Sequence, residues 1–240
     1  MAHSFYKFRK GEVYAHCYKH PQAAITADCV IFSYDGKDLL VLLVRRGQEP
    51  FKDCWALPGG FVRPEETVEE GARRELLEET SLTAEYMEQI RVFSNPDRDP
   101  RQRVVTVPFF ALVKYSPVTG GDDAAEAKWF PVDQMPDLAF DHKDIFLEAK
   151  EALKRSLYFN PVTFDLLPEK FTMPQLQRLY ELILGHKFDR RNFARKMNTL
   201  EILDSPERPS GTPSRIASTF SFNRDKWYYM KKDGSTNFEF

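Results

Sequence analysis

The stretch Gly60 to Leu82, GFVRPEETVEEGARRELLEETSL, constrains this chain more than any other. It sets Glu66, Glu75, Glu78 and Glu79 at fixed intervals, with Arg74 directly before the second of them. Thr67 to Thr80 lacks proline and is mostly Glu, Arg, Leu and Ala, so it reads as a helix. Thr67 is the expected N-cap, and Glu70 three residues on completes a capping box. On such a helix Glu75, Glu78 and Glu79 project near one face. Val68, Ala72, Leu76 and Leu77 supply the packing face. Three neighbouring carboxylates repel one another unless a cation sits among them. Oxygen donors gathered in this way suit a hard ion, Mg²⁺ or Mn²⁺, which keeps some waters and takes substrate phosphates as further ligands. Arg74 is placed to pin one carboxylate. The bland alternative is a solvated acidic helix. Apolar residues at helical spacing, the preceding turn Pro58-Gly59-Gly60 and the position of Glu66 just outside the helix count against it.

As a pattern, the stretch resembles the Nudix box, G-x5-E-x7-R-E-U-x-E-E-x-G-U with U apolar. Gly60, Glu66, Arg74, Glu75, Leu76, Glu78, Glu79 and Leu82 match, and Ser81 stands where the pattern has Gly. That glycine would end the helix with positive φ, so serine is expected to cost stability or shift the turn while removing no ligand. The resemblance implies an α/β fold, the Nudix α/β/α sandwich, which binds nucleoside diphosphate derivatives through a divalent metal. It implies catalytic roles for Arg74, Glu75, Glu78 and Glu79, and a metal set of Glu75, Glu78, Glu79 and Gly59.

The flanking segments read as sheet. Ala23–Ser33 and Leu39–Val44 are apolar runs about the turn Tyr34-Asp35-Gly36, with Arg45 and Arg46 at a strand end. Trp55–Val62, Glu85–Ser94 and Val104–Tyr115 supply further strands. Between the last two lies NPDRDPRQR, a loop carrying Arg98, Arg101 and Arg103. Guanidinium groups take phosphate oxygens in pairs, yet Asp–Arg pairing within a solvated turn is the plainer reading. An RDPR loop beside a Nudix box resembles the ADP-ribose pyrophosphatase-like branch, which implies contact with the ligand or support of its loop. The expected ligand contacts are then Arg46, Glu66, Arg98, Arg101 and Glu126, the last also a candidate base. Gly120–Pro131 runs into a short strand, where Trp129 and Phe130 close the sheet edge. Phe140–Tyr158 is an amphipathic helix with Asp141 as N-cap and His142 structural.

Two prolines in NPVTFDLLP mark a boundary, so domains are expected at 1–159 and 160–240. The second part carries 13 Lys and Arg against 10 Asp and Glu, net +3; of the chain's 34 and 36 this leaves 21 and 26 for the first, net −5. An acidic first part fits a metal site, and a basic second part permits DNA contact. Thr172–Leu184 reads as a helix capped by Thr172 and ended by Gly185, with Leu176, Leu179, Tyr180 and Ile183 inward. Asp189–Leu203 reads as a second, basic helix burying Phe193, Met197 and Leu200. A Pro/Gly/Ser turn follows, then the strand-like IASTFSF and Trp227–Met230. Helix, turn, basic helix and ribbon is the order of a winged helix-turn-helix. Arg190, Arg191, Asn192, Arg195 and Lys196 would face double-stranded DNA, with Arg208 and Arg215 in or beside the wing. A small helical cap with a solvated basic face is the alternative.

The order of elements resembles the Nudix-related NrtR regulators and their sugar-responsive relatives. There the Nudix domain senses a nucleotide or sugar ligand and the winged helix binds DNA, commonly as a homodimer. Such regulators often carry a degraded box; this box is intact, which keeps hydrolysis open. A plain Nudix hydrolase whose second domain only dimerises, and a non-catalytic sugar sensor, remain open alternatives. Cys17, Cys29 and Cys54 form no CxxC and read as reduced thiols. No run is apolar enough to span a bilayer and no secretory h-region is visible, so a cytoplasmic location without a membrane partner is expected.

Overall fold

Eleven consecutive residues of β-structure, nine of them buried, form the spine of the molecule: strand β3, Ala24–Tyr34. A strand buried on both faces needs neighbours on both edges and a layer above and below. The structure, a computed structural model, describes residues 5–8, 12–15, 22–118, 124–158, 160, 162–204, 206 and 218–232. Ahead of β3, the expected lead-in contains an antiparallel hairpin, β1 (Phe5–Phe8) with β2 (Glu12–Ala15). His3, His16, His20 and Cys17 lie outside the described residues.

β3 turns through Asp35, whose carboxylate accepts from the Lys37 and Asp38 N–H groups, into β4 (Leu39–Arg46). The short strands β5 (Trp55–Ala56) and β6 (Gly59–Phe61) pair antiparallel with β4 and β3. Helix α1 (Val68–Thr80) follows, and then β7 (Tyr86–Gln89). The stretch expected to be one strand from Val104 to Tyr115 splits into β8 (Val104–Thr106) and β9 (Phe109–Leu112) at Pro108, which has no N–H to give a ladder. Both run parallel to β3. β10 (Ala124–Pro131) pairs with β4 and forms one edge, in the order β10-β4-β3-β9-β7.

Period-two alternation divides the core between the two faces. Val30, Phe32, Val41, Leu43, Phe110 and Leu112 face helix α2 (His142–Ser156), which buries Ile145, Phe146, Ala149 and Leu153 against them. Cys29, Ile31, Leu42, Val44, Phe109 and Ala111 face α1, which buries Ala72 and Leu76. Leu77, expected to pack, is half exposed. This is the expected α/β/α sandwich.

The expected boundary at NPVTFDLLP is no free linker. Val162–Asp165 forms a 3₁₀ turn, and Leu166 and Leu167 are buried in the same core as α2. That core continues without a break into Leu176, Leu179, Tyr180 and Ile183 of α3 (Met173–Leu184) and Phe193 and Met197 of α4 (Arg190–Thr199). α3 carries the Thr172–Gln175 capping box and ends on Gly185 in the left-handed region, φ 79°. α4 is shorter than expected. It stops at Leu200, Glu201 takes φ 53°, and Ile202 and Leu203 leave the helix to be buried, Leu203 bridging Phe222. β11 (Phe171–Thr172) pairs with β12 (Thr219–Phe220). Trp227–Met230, expected to be extended, lies instead in helix α5 (Arg224–Lys232), whose Trp227 and Met230 pack on the core. Arg208 and Arg215 fall outside the described residues. Among those described, no helix is long and apolar enough to cross a membrane.

Candidate functional site

The acidic helix is built as its sequence demands. Thr67 Oγ1 accepts from the Glu70 N–H while the Glu70 carboxylate accepts from the Thr67 N–H at 2.7 Å. At the other end Ser81 adopts φ 57°, ψ 19°, and its N–H bonds Leu77 O at 2.9 Å. Serine thus makes the turn that the glycine of the pattern would make, so the helix end is not shifted.

Arg74 is the hub. Its Nε and Nη2 donate to Glu66 Oε2 and Oε1 at 2.9 and 2.6 Å, and Nη1 donates to Glu75 Oε1 and Glu78 Oε2 at 2.7 and 2.9 Å. Nη2 also reaches Phe61 O at 3.2 Å. One guanidinium therefore ties three acids and the β6 backbone together. The Arg74 hydrogen bonds, against burial and with help from the Arg63 N–H, draw the Glu66 carboxyl down to about 2. Glu66, expected among the ligand contacts, spends its oxygens on Arg74 and the Arg63 N–H and does not line the cavity described below. Arg74, expected in the catalytic set, stands with its guanidinium on Glu66, Glu75 and Glu78.

Two glycines explain why β6 begins Gly-Gly. Gly59 sits at φ 153°, and a Cβ there would lie 2.4 Å from Ala27 O. A Cβ on Gly60 would lie 2.5 Å from Glu75 Oε1. The Gly59 N–H donates to Glu79 Oε2 at 2.9 Å, locking loop to helix. Among the described residues no three His, Cys, Asp or Glu side chains converge closely enough to hold an ion as they stand. The cause is visible: Arg74 takes an oxygen from Glu75 and from Glu78, and Arg63 takes the other Glu78 oxygen at 3.4 Å. The donors themselves, hard oxygens on one helix face with an arginine orienting two of them, have the chemistry that fits a divalent cation.

Beside Glu79 opens a cavity of about 190 Å³, lined by Arg45, Arg46, Gly59, Phe61, Arg101 and Phe140 among others. Arg46 donates from Nε to Pro50 O at 2.8 Å and lies 4.8 Å from the Phe140 ring centre. Burial first, then the neighbouring Arg101 charge, lowers the Arg46 pKa. Its charge is favoured by the nearby acids Glu79, Asp99 and Asp28. Arg101 is clamped by Asp99, Nε to Oδ1 at 3.0 Å and Nη2 to Oδ2 at 2.7 Å, and approaches the rings of Phe61 and Phe140. Arg46 and Arg101 thus stand together in one pocket next to the carboxylate helix, whose wall Arg45 and Arg98 also line.

Arg98 does something else. Its side chain is 4% exposed, donates to both Asp141 oxygens at 3.0 and 2.7 Å, and lies 3.5 Å from Asp28. It forms a buried cross-tie in the wall of the cavity, which it helps to line, and so supports the loop it sits on. For the same reason Asp141 makes no side-chain cap for α2. His142 is structural as expected: its buried Nδ1 accepts from the Leu57 N–H at 2.9 Å. Glu126 lies exposed on β10, register-paired with Arg45, and does not line the cavity. Sequence reasoning missed Asp28, Asp99 and Phe61, while it had singled out the stretch Phe140-Asp141-His142. Asp28 alone left a trace, as the single acid in an apolar strand.

In the second region Asp189 caps α4, its Oδ1 accepting from the Asn192 N–H at 2.9 Å. Arg190, Arg191, Asn192 and Arg195 are exposed along its first turns, and Lys196 is half-buried. Arg195 Nη2 donates to Asn192 Oδ1 at 3.0 Å.

This sheet between two helices, carrying the box at its centre, is matched over residues 23–149 by the family model for the NUDIX domain, and the chain belongs to that family. Residues 163–222 match the NrtR DNA-binding winged helix domain, so it is a member of the NrtR type, with both domains in one chain. It is 34% identical over 208 residues to the ADPR responsive transcriptional repressor NtrR of Acinetobacter baylyi, covering 85% of this chain and 83% of that one. It is 45% identical over 128 residues to an ADP-ribose pyrophosphatase of Methanocaldococcus jannaschii, covering 53% of this chain and 72% of that one. The crystal structure of Shewanella oneidensis NrtR complexed with a 27mer DNA superposes with a TM-score of 0.69 at 32% identity, covering 84% of this chain and 94% of that one.

Proposed function

We propose that this chain is an ADP-ribose-responsive transcriptional regulator. Residues 1–159 bind the ligand and residues 160–240 bind double-stranded DNA, as a cytoplasmic homodimer on a roughly palindromic site. The observation that carries this reading is the cavity where Arg46 and Arg101 stand beside Glu79, in a chain whose core on the α2 face runs on into α3 and α4. Paired guanidinium groups suit the diphosphate of a nucleotide ligand. The similarity to an ADPR-responsive repressor along most of both chains supports the regulator, and that to an ADP-ribose pyrophosphatase supports the ligand class.

A divalent metal is general to the family's hydrolases, and we infer Mg²⁺ or Mn²⁺ here, held by Glu75, Glu78, Glu79 and Gly59. When bound, such an ion supplies a polarised water and neutralises charge on phosphate oxygens. The residues of the chain prepare that site. Arg74 orients Glu75 and Glu78, the Gly59 N–H fixes Glu79, and Arg46 and Arg101 hold the ligand's phosphates. The full set of box glutamates supports retained hydrolysis. Arg190, Arg191, Asn192, Arg195 and Lys196 are the proposed DNA contacts, with Arg215.

The test is a fluorescence-anisotropy titration with duplexes from the region upstream of the chain's own gene, at stated salt, with and without ADP-ribose. Tighter binding than to random duplex, altered by ADP-ribose, is the expected result. Equal affinity for both duplexes would leave a Nudix enzyme with a helical appendage. A parallel assay with Mg²⁺ compares wild type with Glu78→Gln and Glu79→Gln. Turnover in the wild type that both variants lose establishes the enzyme, and no turnover in the wild type leaves a sensor.

A further inference from the structure

A buried carboxylate is costly unless every oxygen is satisfied, and an apolar side chain would fill the same space more cheaply. Glu181, on α3, is such a carboxylate: its side chain is 8% exposed. Oε1 accepts from Gln177 Nε2 at 2.9 Å and from the Phe188 N–H at 3.1 Å. Oε2 accepts from Lys187 Nζ at 2.7 Å. Gln177 Nε2 also donates to Phe188 O at 3.0 Å. Both backbone polar groups of Phe188 are therefore held by α3. Phe188 directly precedes Asp189, the cap that starts α4. The main chain of Glu181 takes part as well, its carbonyl accepting from the Gly185 N–H at 2.9 Å. Burial opposes ionisation of Glu181, yet the Lys187 ammonium, the Gln177 amide and the Phe188 N–H together draw its carboxyl down to about 2.

We propose that Glu181 is a positioning residue for DNA recognition: by clamping Phe188 it sets where α4 begins and so which side chains that helix presents. The proposal rests on the DNA-binding reading above and adds to it a residue that touches no DNA. The physical reason is angular. If the chain entering α4 slips by one residue along the helix, the face it presents rotates by about 100°, because the helix has 3.6 residues per turn. Such a rotation misdirects groups that must meet base edges, while arginines and lysines on the same helix still find phosphate. Loss of Glu181 should therefore damage specific binding far more than non-specific binding.

The experiment compares full-length wild type, Glu181→Gln and Glu181→Ala on an upstream duplex and a random duplex across a salt series, with ADP-ribose binding as the fold control. Glu181→Ala is expected to weaken specific binding at least tenfold and random-duplex binding less than twofold, with an unchanged salt slope. Glu181→Gln, which keeps one acceptor for the Phe188 N–H, is expected to fall between. Should Glu181→Ala lose ADP-ribose binding, the glutamine variant alone decides. Equal loss on both duplexes, or a specificity ratio at the wild-type value in a folded variant, overturns the proposal. A wild type with no preference for the upstream duplex overturns the regulator reading, and this proposal with it.

Discussion

Three arginines of the first region, alike in sequence, do three different jobs, decided by the acids that fold around them. Arg74 gathers Glu66, Glu75 and Glu78. Arg98 is buried between Asp28 and Asp141. Arg101 is held by Asp99 yet reaches the cavity. Removing one partner of a buried ion cluster leaves uncompensated charge and costs about 3–5 kcal/mol. Arg98→Ala is accordingly expected to lower unfolding stability by about that much in a urea titration. Arg101→Ala, which strips the buried Asp99 carboxylate of its guanidinium, should also lower stability, and should in addition weaken a phosphorylated ligand while sparing a free sugar. An unchanged affinity for the phosphorylated ligand would confine Arg101 to holding its loop. Glu66 gives a pH prediction. Its folded pKa of about 2 lies below the ordinary glutamate value of 4.5, so its stabilisation is fully present above about 4.5 and is lost as pH falls from there towards 2. Urea midpoints measured down that window should fall more steeply for wild type than for Glu66→Gln.

Among the elements, α1 and α3 were the most legible, because caps and periodicity are local. Thr67, Glu70, Thr172 and Asp189 all cap as their spacing implies. Ser81 at φ 57° pays the steric cost of a left-handed L-residue, about 1–2 kcal/mol, so Ser81→Gly is expected to gain about 1 kcal/mol after the added entropy of the unfolded chain. Thermal unfolding checks the sign. What failed locally failed where tertiary contacts intervened. α4 ends early because Ile202 and Leu203 are more valuable inside the core than on a fourth turn, and α5 forms where aromatic residues suggested a strand. On α4, Arg191 and Asn192 are exposed in the first turn, so alanine at either should cost about 1–3 kcal/mol on the preferred duplex and relax preference at one base pair. Uniform weakening on every duplex would mark a phosphate contact instead.

At the level of the whole molecule, two elements run from the ligand cavity to α3. Strand β4 carries Arg45 and Arg46 at the cavity, and the turn before it meets α3, where Arg178 donates to Lys37 O at 3.3 Å and lies 3.8 Å from Asp38. Helix α2 begins at the cavity with His142 and packs its body in the core shared with α3. Coupling between sites is a free energy carried by such contacts. Arg178→Ala is expected to preserve ligand affinity and DNA affinity taken singly while shrinking the change in DNA affinity that ADP-ribose causes. An unchanged ligand effect would place the coupling elsewhere. The sequence by itself determined the carboxylate helix, its caps, the sheet's two-faced strands and the order of a winged helix, because each depends on periodicity and neighbours along the chain. Only the tertiary structure decided which acids meet Arg74, Arg98 and Arg101, that Glu66 holds Arg74, and that Leu166 and Leu167 at the expected boundary are buried. Those outcomes depend on pairing groups far apart in sequence, such as Arg98 with Asp28 and Asp141, and no local pattern encodes which charge meets which.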